Sequence, residues 1–126
     1  MSWKDYIDEK LIGSGTIDKA AIFSATEYSP WAASAGFKID HDQVQALAKA
    51  FIDPRSLSQG FYIGEHQYIA IIADNQRICG GIGKQGVIAM KTNKTIIIAH
   101  HPETAQRLQA LDVTQSLADY LIKLGY

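Results

Sequence analysis

Residues 60–99 read GFYIGEHQYIAIIADNQRICGGIGKQGVIAMKTNKTIIIA, and this stretch decides the fold. It holds five short runs rich in β-branched, aromatic and other apolar residues: Phe61–Ile63, Tyr68–Ala73, Arg77–Gly80, Val87–Lys91 and Thr95–Ala99. Gly64–His66, Asp74–Gln76, Gly81–Gly86 and Asn93-Lys94 separate them. Run starts fall seven to ten residues apart, which leaves room for tight turns and none for crossover helices. Successive strands therefore run antiparallel, as a meander.

Working outward, Val44, Leu47, Ala48 and Phe51 recur at helical spacing, and the helix they define ends before Pro54. Ala20–Ala25 and Trp31–Ser34 read as two further strands, with Glu27–Pro30 as the turn between them. At the start, Ser2 and Asp5 have capping-box spacing. Trp3, Tyr6, Ile7 and Leu11 then form one apolar stripe, which Gly13-Ser14-Gly15 stops. At the other end Pro102 suits a first helical position, and Glu103 complements the positive helix end. Ala110, Val113, Leu117, Leu121 and Leu124 predict the core stripe of that helix, closed by Lys123 and Gly125. The expectation is an α+β fold in a single domain over residues 1–126. A central antiparallel sheet carries N- and C-terminal helices packed side by side, with another helix inserted.

Composition fits a folded chain. Of 126 residues 47% are hydrophobic, which excludes a disordered protein. Twelve basic against 13 acidic side chains leave a net charge of −1, so a basic footprint for nucleic acid is absent. One cysteine, Cys79, excludes an internal disulfide framework and suits a reducing cytosol. The charged opening lacks the apolar stretch of a signal peptide. The longest apolar runs fall far short of the ~20 residues of a spanning helix.

Enzyme signatures fail on inspection. The glycine-rich tract Gly80–Gly86 has Ile78 where a phosphate loop needs its first glycine, and Gln85 in place of the hydroxyl residue. Ser14 sits in Gly-Ser-Gly, not in a nucleophile elbow. Adjacent His100 and His101 on a strand point to opposite faces and cannot easily share one metal ion. Cys79 has no flanking base signature and reads as a small apolar residue. No cofactor or metal is implied.

The aromatics carry more. Trp3 and Tyr6 share a helix face, and Tyr120 and Tyr126, about 600° apart in helical phase, fall within roughly 120° of one another. Aromatics at both chain ends, where chains fray, imply that the terminal helices hold each other. Flat rings with polar edges grip a proline-rich strand: rings stack on pyrrolidines while hydroxyl and indole groups bond carbonyls.

Four segments then carry a family resemblance. They are Ser2-Trp3-Lys4-Asp5-Tyr6-Ile7-Asp8; Trp31-Ala32-Ala33-Ser34 with Gly36-Phe37; Gly60-Phe61-Tyr62-Ile63-Gly64 with Tyr68; and Leu117-Ala118-Asp119-Tyr120-Leu121-Ile122 with Tyr126. In this order and spacing the chain resembles the profilins, most of all fungal and protist ones. The resemblance implies a cytoplasmic, cytoskeletal protein that is not an enzyme. Its partners would be monomeric actin, proline-rich proteins such as formins and, in many members, phosphoinositides. It assigns Trp3, Tyr6, Trp31, Tyr120 and Tyr126 to the proline groove.

For the actin face the resemblance points to Gln67, Ile69, Ile72, Gly83, Lys84, Lys91, Gln106 and Asp112. Here the chain departs from the family pattern. Gln67 and Ile72 stand where Lys and Arg are common, and Gly81-Ile82 where a Lys pair is frequent. Leu108 and Leu111 replace the usual Gly and Asn, and Asp112 lies near a frequent Lys; Leu111 reads either as part of this face or as an extension of the last helix's core stripe. Fewer basic groups slow association with an acidic partner and weaken phosphoinositide binding. Two readings follow: an actin-monomer-binding protein that also docks proline-rich segments, or a proline-peptide adapter on the same scaffold with weak or no actin binding.

Overall fold

The computed structural model describes residues 2–126. Its strands are β1 (Lys19–Ser24), β2 (Pro30–Ala33), β3 (Phe61–Ile63), β4 (His66–Ala73), β5 (Arg77–Ile82), β6 (Gln85–Lys91) and β7 (Thr95–His101). They form one seven-stranded sheet in the order β2-β1-β7-β6-β5-β4-β3. Every neighbouring pair is antiparallel. Thus residues 61–101 are the expected meander, and β1 extends it by pairing with β7.

Helices cover both faces. On one side lie α1 (Trp3–Asp5), prolonged by a wide π-helical turn over Tyr6–Leu11, and α3 (Arg107–Lys123). Ile7, Leu11, Leu117 and Leu121 pack there against Ile22, Ile88, Met90 and Ile97. On the other side α2 (His41–Ile52) presses Val44, Leu47 and Phe51 onto Phe23, Ile78, Val87 and Ile98. A sheet covered on both faces needs apolar residues at successive positions. That is why Ile96, Ile97 and Ile98 are all fully buried.

The opening helix departs from regular α geometry. Ser2 and Asp5 form the expected capping box. In an α-helix Tyr6 and Leu11, five apart, would sit about 140° apart. The wider turn brings them to one face with Ile7, and all three are buried.

Several boundaries differ from those expected. β5 and β6 are longer because the tract Gly81–Gly86 is mostly strand and its turn is only Gly83-Lys84, while β4 gains His66 and Gln67 by pairing with β3 and β7 gains His100 and His101 by pairing with β6. Gly83, at φ 58, takes the left-handed position that this hairpin demands. The last helix does not start at Pro102. The Pro102 carbonyl accepts the Ala105 N–H at 3.1 Å in a separate turn, and extended Gln106 is the N-cap. The buried stripe also differs from the expected one: Ala110, Leu111, Thr114, Leu117, Ala118 and Leu121 are buried. Val113 is half-buried, and Leu124 lies past the helix end and is exposed.

Cys79 is buried on β5 beneath the terminal-helix layer. Burial pushes its thiol up to about 11, so the reactive thiolate is scarce at neutral pH. A thiol reagent such as DTNB is expected to leave the native protein unlabelled and to react with one thiol per chain after denaturation. Rapid labelling of native protein would contradict this placement.

Candidate functional site

The five aromatics singled out in the sequence meet at the seam between the terminal helices. Trp3 is their hub, with ring centroids 4.8 Å from Trp31, 5.0 Å from Tyr126 and 5.6 Å from Tyr6. Trp31 lies 6.5 Å from Tyr126, and Tyr6 lies 6.1 Å from Tyr120. Most pairs are tilted or edge-to-face, the arrangement that ring quadrupoles favour. Tyr120 is 46% exposed, Tyr126 38% and Trp31 37%, against 7% for Tyr6. The outer rings are open to solvent, and buried Tyr6 packs against Trp3 and Tyr120. Burial, then the neighbouring Tyr120 hydroxyl, raise the Tyr6 phenol above its ordinary value, so it stays protonated.

Tyr126 arrives by a different route from the helical phase expected of it. Leu124 ends the helix and Gly125 adopts φ 96. The Gly125 N–H donates to the Ile122 carbonyl and the Tyr126 N–H to the Leu121 carbonyl, at 3.0 and 2.8 Å. This pairing is a Schellman motif, in which a glycine accepts the left-handed backbone and reverses the chain. The main-chain oxygen of Tyr126 then accepts from Thr92 Oγ1 at 2.8 Å and from the Lys94 N–H. Lys94 Nζ lies 5.6 Å from the Tyr126 ring centre. The β6–β7 turn thus clamps the last ring against Trp3.

A second surface lies beside the start of α3, over β3, β4 and β5. Antiparallel pairing puts Tyr62 opposite Gln67 on this side, and alternation brings Ile69 there too. A bulge between Ala70 and Ile72 then shifts the register. A Cβ at Gly81 would stand 2.8 Å from an Arg107 guanidinium nitrogen and 3.0 Å from Ile71 Cδ1. Gly81 is therefore the space into which Ile71 and Arg107 lean. The patch is apolar: Ile69 is 74% exposed, Leu108 72%, Tyr62 55% and Ile71 51%.

Of the residues expected on this face, Gln67, Ile69, Gly83, Lys84, Gln106 and Asp112 are exposed. Ile72 is drawn partly into the terminal-helix core and Leu111 is buried in it, so neither is a free surface group. Lys91 does not join them. It pairs with Ile96 and alternates with Ala89, both packed on the α2 layer, which puts it on the opposite face. Sequence reasoning missed Ile71, Tyr62 and Arg107. Arg107 donates to His101 Nε2 and to the Gln85 carbonyl, each at 3.4 Å. Burial foremost, and Arg107 itself, hold His101 below its ordinary range, so its neutral ring can accept. The signal for Arg107 was the true start of α3, hidden by the turn at Pro102.

His100, one residue earlier, turns away from His101. Its Nδ1 is 2.6 Å from Asp18 Oδ1 and its Nε2 is 3.1 Å from Gln85 Oε1. These bonds tie the residue before β1 to β6 and β7 rather than offering two ligands to one ion.

With this geometry in place, comparison with known proteins decides the family. The family described as Profilin matches residues 1–126. The chain belongs to the profilin family. It is 42% identical over 127 residues to the profilin of Schizosaccharomyces pombe, covering 100% of both chains. A crystal structure of S. pombe profilin superposes with a TM-score of 0.94 at 41% identity, covering 99% of this chain and 100% of that one. Acanthamoeba castellanii profilin IB gives 0.95 at 37% identity with the same coverage. The seven-stranded sheet with helices at both ends is thus the family fold.

Proposed function

We propose that this chain binds monomeric actin through the β3–β5 and α3 face, docks proline-rich segments such as those of formins in the five-ring groove, and so regulates filament assembly in the cytoplasm. Profilins are non-enzymatic actin-binding proteins. The observation that carries the proposal for this chain is the ring cluster. Four of its five rings are at least partly open on one seam, beside a protonated phenol. A polyproline helix offers pyrrolidine faces and unpaired carbonyls in alternation, which matches such a surface. Two more distant structures, at 20% and 19% identity, are mouse profilin IIa with a double repeat from the FH1 domain of mDia1 and LokiProfilin2 with rabbit actin. They share the fold; the binding argument rests on the residues above.

We read residues 1–126 as one domain because one sheet supports both surfaces. On the actin side, Arg107 restores from α3 a positive charge that Gly81 does not supply from β5. Titration of the protein into labelled actin monomers is expected to show saturable binding that weakens as salt rises. Arg107→Ala should bind about five- to ten-fold more weakly, chiefly through slower association and with a flatter salt dependence. No actin binding by a protein that still binds decaproline would make it a proline-peptide adapter.

A further inference from the structure

The ring groove does not end at Tyr120. A cleft of about 390 Å³ continues along the seam, lined by Tyr120, Leu117, Ser116, Val113 and Lys10. On α3 these lining residues fall at i, i+3, i+4 and i+7 from Val113, one stripe facing the opening helical segment. Leu117 is buried and forms the floor, and Val113 is half-buried beside it. The single charge on the lining is Lys10, four residues after Tyr6. Lys4, on the same segment, is held by Asp8 at 3.0 Å, whereas Lys10 makes no ion pair among the described residues.

We infer that this cleft is a flanking subsite of the groove. It takes an apolar side chain and then an acidic residue that flank the proline run of a docked segment. The inference rests on the proline-docking reading and adds a sequence preference to it. Reach supports the assignment. Tyr120 to Val113 is about 10 Å along the helix axis. About three residues of polyproline helix cover that length. A residue within three positions of the proline seated on Tyr120 therefore lies over the cleft, and Lys10 on its lining is placed to meet a carboxylate. A plain proline run fills neither the apolar floor nor the charge. The subsite thus distinguishes among proline-rich partners that the rings alone treat alike.

The test is a set of decaproline peptides titrated by Trp fluorescence. Each carries either Leu-Glu or Ala-Gln as an extension, placed at one end or the other. The Leu-Glu form is expected to bind roughly ten-fold more tightly at one end only, mostly through the apolar side chain. Replacing Glu by Gln in that peptide should cost about two- to five-fold. Lys10→Glu should reverse the charge preference, so that a Leu-Lys extension outperforms Leu-Glu. Equal affinity of all extensions at both ends, with decaproline itself bound, overturns the subsite and leaves the groove standing. Failure of every peptide, decaproline included, overturns the groove reading and the subsite with it.

Discussion

Trp3→Ala is expected to weaken decaproline binding by at least thirty-fold while the protein stays folded. Interface hot spots of this kind cost about 2 kcal/mol or more on truncation, and that is the corresponding change in Kd. Trp3 earns the larger end of the range by position. It contacts three of the other four rings, at 4.8, 5.0 and 5.6 Å, so its loss leaves Trp31 and Tyr126 without the partner that orients them. The fold does not depend on it in the same way. Trp3 is half-buried in a three-residue helix, and the segment is anchored by Ile7 and Leu11 below. Calorimetric titration, beside a circular-dichroism melt of the same sample, separates the two effects. A folded variant that binds within three-fold of the parent would show that the rings are packing and not a ligand surface.

The groove was legible in the sequence because its signal is compositional: large aromatics placed where chains fray need a reason. The route to it was only partly right. Helical phase brought Tyr126 near Tyr120, whereas the structure places it by Gly125 in a left-handed turn and by the Thr92 and Lys94 bonds. The meander was legible because turn residues punctuate it, although two-sided burial extended β7 through His100 and His101, which polar side chains concealed. The start of α3 misled because Pro102 and Glu103 satisfy helix-start rules equally well in a separate turn. That error hid Arg107. The second surface was the least legible part. It is set by a bulge after Ala70, and a one-residue shift of register moves side chains to the other face without any trace in periodicity.

Leu121→Ala is expected to cost about 3–5 kcal/mol of stability, a large share of the 5–15 kcal/mol that holds an ordinary domain together. Leu121 is fully buried, in the layer where α3 meets Ile22, Met90 and Ile97. Truncation leaves a cavity that the flanking strands, hydrogen-bonded on both edges, close poorly. The neighbouring residue makes the experiment informative. Tyr120 and Leu121 are consecutive on α3, one ring in the groove and one side chain in the core. If the buried stripe from Ala110 to Leu121 attaches the helix, Leu121→Ala lowers the denaturant midpoint strongly at unchanged slope. Decaproline affinity measured well below the transition then falls less than for Trp3→Ala. If the aromatic seam attaches the helix instead, Trp3→Ala lowers the midpoint as much and Leu121→Ala costs under about 1 kcal/mol. The core stripe contributes six buried side chains against one buried ring in the groove, so the first result is the expected one.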